Sequence, residues 1–243
     1  MKKFFTLCLA IVMVLSLVAC GGSKSAPADS GKKRIIASDT VFKPFEYTDA
    51  SGNFVGIDVG ILAAVAADQG FDYELQSLGW DAAIAGASIT EERKASGWIF
   101  SDGYYNATQS ITVAADSDIT GFDGLSGKDV AVKTGTQGAA YAESLKDQYG
   151  FNIVYFEDSP TMYQAVIGGQ CVACFEDTPI MRASIKDGGL ALKVLEDTAN
   201  AGGDYGFAIF NADNQKQVDM FNAGLANIKA NGKYDGILAK YLD

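Results

Sequence analysis

The first apolar stretch of this chain differs in kind from every later one. Lys2 and Lys3 are followed by an uncharged, mostly apolar run from Phe4 to Val18. The run is short for a membrane span, and its charged start is typical of a secretory leader. We therefore predict that residues 1–19 are a signal peptide that is not part of the fold.

Beyond residue 32 the apolar positions switch between strand alternation and helical spacing. Residues 58–69 carry apolar side chains at helical spacing with Asp58 as the expected cap, and residues 71–78 alternate apolar with polar. Residues 45–53 favour a short hairpin. The predicted strands are 33–38, 71–78, 128–133, 151–156, 171–175, 191–195 and 205–210, and the predicted helices are 58–69, 139–148, 160–167, 179–186, 215–230 and 234–241. Alternating strands and helices in two similar blocks indicate an α/β protein with two lobes and a ligand crevice between them.

Composition excludes several functions. The formal net charge is −11, and losing two lysines with the leader makes the remainder more acidic still. Such a surface argues against nucleic-acid binding, which needs clustered cations. The chain contains no His, which excludes His-based catalytic triads and most zinc sites.

Cys20 follows the leader directly, after Leu17, Val18 and Ala19. Small residues before a Cys at this place resemble a bacterial lipobox, so we predict a lipid anchor on Cys20. A plain secretory signal with an incidental Cys is the alternative. Residues 20–31 then form a tether, since 21–31 holds no large apolar residue. No later run is long enough to span a bilayer, so we expect a soluble domain outside the membrane.

Of the remaining cysteines, Cys8 lies in the leader, and Cys171 and Cys174 are spaced C-x-x-C. Their surroundings predict a buried strand rather than the helix start of a thioredoxin-like motif. Core cysteines are therefore the favoured interpretation over a redox pair.

An ordered set of motifs resembles one family. The segments are DTVFKPFEY (39–47), GIDV (56–59), AGASITEER (85–93), FSDGYY (100–105), VAVKTGT (130–136), DTP (177–179) and NGKYD (231–235). Together they resemble the polar amino-acid-binding proteins of ABC importers, bacterial extracellular solute-binding protein family 3. The resemblance covers residues 34–242 and is nearest to the glutamine-binding type through FSDGYY, AVKTGT and DTP.

This resemblance implies a two-lobed, periplasmic-binding-protein-like (type II) α/β fold with two hinge crossovers, near 105–110 and 202–207. Lobe 1 would comprise residues 32–107 plus 204–243, and lobe 2 residues 108–203. The implied function is capture of a polar amino acid by hinge closure and delivery to an ABC permease. The protein would be a non-enzymatic, cofactor-free monomer, lipid-anchored on the outer face of the cell membrane.

The resemblance also implies a site for a zwitterion, which needs a cation and an anion at fixed separation. Arg93 would grip the ligand carboxylate through two parallel hydrogen bonds, and Asp177 would pair with the ammonium. The other implied ligand-binding positions are Asp39, Phe42, Trp80, Gly86, Ser88, Lys133, Thr136 and Gln137. Taken singly, each has an ordinary structural explanation, such as an exposed helix residue, a turn or a core aromatic; only the ordered set predicts a site.

The ligand and the rival functions rest on few residues. Asp39 and Lys133 match positions that meet the side-chain amide in the glutamine-binding type. Glu176 is an extra carboxylate that would favour a cationic ligand, although Lys133 would oppose one; we favour glutamine. The alternatives are a dehydratase of this fold acting on a cyclic amino-acid precursor, with Glu176 as general acid, an amino-acid sensing module, or a chain without a working site.

The first lobe departs from the family pattern between Trp80 and Gly86, where about a dozen residues are absent, although a parallel crossover usually needs that many. If residues 82–85 form the strand, its covering helix is missing. If residues 81–85 start the helix, a central strand is missing. We therefore expect a rearranged or destabilised first lobe, and a deletion between two similar stretches would explain it.

Overall fold

A computed structural model describes residues 33–39, 41–76 and 82–242. The predicted leader, the tether with Cys20, and Trp80 lie outside these residues. The strands are Arg34–Ala37 (β1), Val41–Phe42 (β2), Glu46–Thr48 (β3), Phe54–Val55 (β4), Tyr73–Gln76 (β5), Ala82–Ala83 (β6), Ile99–Phe100 (β7), Tyr105–Ala107 (β8), Gln109–Ala114 (β9), Asp129–Lys133 (β10), Asn152–Phe156 (β11), Ala173–Asp177 (β12), Leu192–Leu195 (β13), Gly203–Tyr205 (β14) and Ala208–Ile209 (β15). The helices are Ile57–Gln69 (α1), Glu91–Ala95 (α2), Gln137–Tyr149 (α3), Ser159–Ile167 (α4), Thr178–Gly188 (α5), Gln215–Ala230 (α6) and Lys233–Leu242 (α7).

Two mixed sheets organise the fold. In the described ranges, the first has the order β5-β1-β6-β15-β7 and the second the order β11-β10-β12-β9-β13. β1 and β10 pair with both of their neighbours in parallel, whereas β15 and β9 run antiparallel to theirs. This confirms the two-lobed α/β class.

The antiparallel ribbon of β8 and β14 lies between the two sheets in the chain order. Both of its strands fall in the segments predicted as crossovers. The lobe boundaries themselves remain a prediction. No helix in the described ranges is long and apolar enough to cross a membrane.

The shortened first lobe keeps its central strand. Ala82–Ala83 pairs in parallel with Ile36 and Ala37 at the end of β1, so the alternative that began a helix there is wrong. β5 pairs with the other side of β1, with Gln76 opposite Ala37. Two inter-strand spacings of about 4.8 Å separate β5 from β6, and the peptide steps from Gln76 to Ala82 reach ~20 Å at most. Since β6 pairs only at the end of β1, the chain need not return along a whole strand.

Two other predicted elements are wrong in detail. The predicted strand over 205–210 is divided into β14 and β15, because the chain leaves the ribbon at Tyr205 and enters the first sheet at Ala208. The predicted strand over 171–175 is shifted, since β12 runs to Asp177 and Cys171 precedes it. Both Cys171 and Cys174 are buried and unpaired in this fold. Burial raises the pKa of each thiol, which opposes thiolate chemistry.

Candidate functional site

The junction between the sheets brings Arg93 and Asp177 together. Arg93 lies on α2, where its backbone N–H is capped by the Thr90 hydroxyl at 3.2 Å. Its guanidinium donates to the Ser88 carbonyl at 2.8 Å and to the Gly135 carbonyl of the second lobe at 3.4 Å. Burial lowers the pKa of Arg93, while the charge of Asp177 opposes that change. The cation is therefore held at the junction within electrostatic range of the predicted anion.

Asp177 ends β12 and is itself oriented by the crossover segments. Its Oδ2 accepts a hydrogen bond from the Tyr205 hydroxyl, and its Oδ1 accepts from Gln109 Nε2 at 2.6 Å. Asn200 Nδ2 in turn donates to Gln109 Oε1 at 2.8 Å, which fixes the amide orientation. Burial raises the pKa of Asp177, and Arg93 and Lys133 are among the groups that lower it. Gln109 and Tyr205 were not among the predicted site residues, although both lie in the predicted crossovers.

Phe42 lies close to both Gly86 and Lys133. The Lys133 ammonium lies 5.8 Å from the centre of the Phe42 ring, so the two lobes touch there. Gly86 has φ +52°, and an added Cβ would lie 2.6 Å from the Phe42 ring and 3.3 Å from Tyr205. Only a glycine therefore allows this backbone to lie against the aromatic ring.

Thr136 and Gln137 mark the beginning of α3. The Thr136 hydroxyl accepts from the Ala139 N–H at 3.2 Å and donates to the Lys133 carbonyl at 2.8 Å. Gln137 is the first residue of the helix. Helix N-termini favour carboxylates, and Gly135, which precedes Thr136, accepts a bond from Arg93. Ser88 is buried, and its backbone forms an isolated antiparallel β-bridge with Tyr205. Asp39 is close enough to Glu46 to raise the pKa of that carboxyl group.

Glu176 does not line this junction as the sequence suggested. Its Oε2 accepts hydrogen bonds from the Ser159 and Tyr163 hydroxyls of α4, at 3.0 and 3.1 Å. Successive strand side chains point to opposite faces, so Glu176 and Asp177 lie on opposite sides of β12. Burial, and then the Asp177 charge, raise the pKa of Glu176.

Asp58 does not cap α1 as expected. Gly56 occupies the cap position, and Asp58 is fully buried in the first turn. Its Oδ2 accepts from the Gly86 N–H and the Tyr104 hydroxyl, both at 2.8 Å. Glu46 approaches Asp58 within hydrogen-bonding range. Within the described residues, no other hydrogen-bond partner reaches either Glu46 oxygen or Asp58 Oδ1. We infer that a proton shared between the two carboxyl groups joins one Glu46 oxygen to Asp58 Oδ1, while Asp58 Oδ2 holds the Gly86 backbone N–H.

The raised pKa values of Glu46 and Asp58 predict that the folded protein loses stability as the pH rises. Burial and the neighbouring carboxylates Asp58 and Asp39 raise the pKa of Glu46 well above its usual value, against Lys133; burial raises that of Asp58 to about 6. The folded chain therefore holds protons that the unfolded chain releases, and stability falls as pH rises through the folded values. For Asp58 the loss between about pH 4 and about pH 7 is on the order of 3 kcal/mol.

Urea unfolding of the wild type and Glu46→Gln across this pH range measures the effect. The amide still donates to Asp58, so the variant should lose the part of the fall in stability that comes from Glu46 and keep the part that comes from the burial of Asp58. Glu74→Gln, on an exposed carboxylate paired with Lys33, should keep both parts. Equal slopes in wild type and Glu46→Gln would contradict the shared proton.

Comparisons with known proteins give one family match and several relatives. The family model described as bacterial extracellular solute-binding proteins, family 3, matches residues 35–243. A probable histidine-binding protein of Neisseria gonorrhoeae is 31% identical, over 99% of this chain and 96% of its own length. The alignment has 261 positions against 243 residues here. This chain therefore lacks residues that the relative has, which agrees with a shortened lobe without locating the gap.

Two solved structures are similar over most of the chain. The second substrate-binding domain of a putative amino acid ABC transporter from Streptococcus pneumoniae has 37% identity and a TM-score of 0.65, covering 87% of this chain and 100% of that one. An ancestral arginine-binding protein bound to glutamine has 27% identity and a TM-score of 0.77, covering 86% and 97%.

Proposed function

The chain belongs to the bacterial extracellular solute-binding proteins of family 3, and from that membership we propose that it captures free glutamine and delivers it to an ABC permease. Arg93 and Asp177 hold the ligand carboxylate and ammonium, and closure of the lobes buries it. The observation that carries this proposal is the meeting of these opposite charges, one from each lobe, at the junction. Gly86, Ser88, Thr136 and Gln137 complete the grip on the ligand backbone.

The choice of glutamine rests on the charges around Phe42. Lys133, 5.8 Å from the Phe42 ring, repels a cationic side chain, whereas Asp39 and Lys133 together offer an acceptor and a donor to an amide. The buried position of Glu176 removes the carboxylate that would have favoured arginine or lysine. Trp80 is proposed as the second aromatic wall beside Phe42.

Glu176 also bears on the enzymatic alternative. A dehydratase needs a general acid facing its substrate, and Glu176 is bonded to α4 on the far side of β12. We therefore propose binding without chemistry. In this proposal the protein is a monomer tethered to the outer face of the membrane through lipidated Cys20.

Thermal melts of the purified protein with each common amino acid test the function. A ligand at a hundred times its Kd adds about 2.7 kcal/mol, which should raise the melting temperature by roughly 5–10 °C for a chain of this size. We expect this shift with glutamine and a smaller one with arginine, lysine or histidine.

The other outcomes are informative. A larger shift with arginine would overturn the ligand and keep the binding function. No shift with any amino acid would overturn the function itself. Release of a keto acid from cyclic precursors would favour the enzyme.

A further inference from the structure

A cavity of about 400 Å³ opens between the lobes. None of the predicted amino-acid-binding residues lines it. Lobe 1 contributes Lys43 and Tyr47, the crossover contributes Tyr105, and the second lobe contributes α5. The last helix, α7, closes another side. Its volume lies in the range of small-molecule sites, about 300–1,000 Å³.

The charge of this cavity is opposite to that of the whole chain. Among the described residues that line it, the cationic side chains are Lys43, Arg182, Lys186 and Lys240, and the only carboxylate is Asp187. The chain as a whole carries −11. A cleft lined by one sign of charge concentrates ions of the other sign, so this cavity attracts anions on a surface that otherwise repels them.

Local contacts hold several of these cations at the cavity wall. Arg182 and Lys186 are four positions apart on α5 and so share one helix face. Arg182 donates to Glu196 at 3.0 and 2.6 Å. Lys43 pairs with Asp187 across the lobes at 2.8 Å and lies 4.8 Å from the Tyr47 ring. The Lys240 ammonium lies 4.9 Å from the Tyr241 ring.

These ion pairs are open to exchange. The side chains of Lys43 and Asp187 are 37% and 41% exposed, and those of Arg182 and Glu196 are 63% and 52% exposed. Exposed pairs of this kind contribute only about 0–1 kcal/mol. An anion with more than one charged group can therefore compete for the same cations at little cost.

We propose that this cavity binds a small anion bearing two or more carboxylate or phosphate groups, and that the anion favours the closed arrangement of the lobes. Lys43 from lobe 1, Lys240 from α7, and Arg182 and Lys186 from lobe 2 contact it together. Opening the lobes separates Lys43 from α5 and weakens the site. The coupling part rests on the proposed hinge closure, whereas anion binding does not.

Calorimetric titration of the purified protein, without amino acid, tests the site with citrate and with pyrophosphate. Citrate binding identifies a carboxylate ligand and pyrophosphate binding a phosphate one, and either supports the proposal. Acetate at equal ionic strength should give no heat of binding. The double variant Lys186→Gln/Lys240→Gln should bind the anion at least about tenfold more weakly than the wild type. Lys146→Gln, an exposed lysine of α3 paired with Glu143, should leave its affinity unchanged.

The coupling is measured separately through the amino acid. Saturating anion should tighten glutamine binding about threefold or more in the wild type and leave the double variant unchanged. Absence of binding of both anions up to about 10 mM would overturn the site, as would equal binding by the wild type and the double variant. Anion binding that leaves glutamine affinity unchanged would overturn the coupling. The variants should melt like the wild type without ligand, which separates a lost site from a lost fold.

Discussion

Replacing Arg93 by methionine should lower amino-acid affinity by at least about a hundredfold while changing the melting temperature little. The guanidinium is the group proposed to meet the ligand carboxylate, and charge-assisted bidentate bonds are among the strongest available. Truncating one partner of a buried, hydrogen-bonded charge pair typically costs about 2–5 kcal/mol. In the protein itself Arg93 donates to the Ser88 and Gly135 carbonyls and lies 5.3 Å from the Trp98 ring. A methionine side chain loses both hydrogen bonds and keeps only the packing against Trp98.

The neighbouring lysine provides a matched control. Lys94 lies on the same short helix and pairs with Glu91 at 2.8 Å on the exposed face. Lys94→Met removes the same charge one residue away, and its affinity should stay within about threefold of the wild type. Isothermal titration with the amino acid that gives the largest thermal shift measures both. An Arg93→Met variant that binds as tightly as Lys94→Met would place the carboxylate grip elsewhere.

Local periodicity predicted the second lobe better than the first. The order β10, α3, β11, α4 was predicted within a few residues. The spacing of apolar residues within each of these segments is enough to indicate a strand or a helix. β9, Gln109–Ala114, was not predicted. It is buried along nearly its whole length and pairs antiparallel with β12 and β13, far away in the chain. That long-range pairing leaves no local signature.

The first lobe shows what chain length alone cannot decide. Counting residues between Trp80 and Gly86 suggested that a helix or a central strand had to be lost. Ala82 pairs with Ile36 at the C-terminal end of β1, the end where β5 also finishes, so the chain needs only a lateral crossing to reach β6. Register is a property of two strands together, so the sequence of one connection could not reveal it.

Candidate site residues that lie in short sequence motifs could be named from the sequence, whereas residues that contact Asp177 from distant strands could not. Arg93, Gly86 and Thr136 come from short ordered segments, and Arg93 reaches the carbonyl of Gly135, the residue before Thr136. Gln109 and Tyr205 orient Asp177 from strands that are close only in the folded chain. The sequence placed Glu176 beside Asp177 at the site because the predicted strand ended at 175. Since β12 continues to Asp177, the side chains of Glu176 and Asp177 point to opposite faces of the strand.

Gly56→Ala should cost the fold more than any surface change, about 3 kcal/mol or more. Gly56 has φ +138°, and an added Cβ would lie 2.0 Å from the Phe45 carbonyl oxygen and 2.5 Å from its carbon. Those atoms cannot retreat, because the same carbonyl accepts the Asp58 N–H at 2.9 Å and the Pro44 carbonyl accepts the Ile57 N–H at 3.0 Å. The melting temperature should fall by roughly 10 °C. Because Asp58 follows in the same turn and holds Gly86, amino-acid affinity should fall as well.

A second glycine separates this strain from the general effect of adding a methyl group. Gly236 lies inside α7, and an added Cβ there would meet nothing within 4 Å. Alanine is favoured over glycine in a helix interior by about 0.8–1 kcal/mol, so Gly236→Ala should melt at or slightly above the wild-type temperature. Urea unfolding of both variants measures the difference. A Gly56→Ala protein as stable as Gly236→Ala would mean that the hairpin before α1 can shift freely. The Glu46–Asp58 pair would then not be the fixed support of the Gly86 backbone on which the amino-acid site depends.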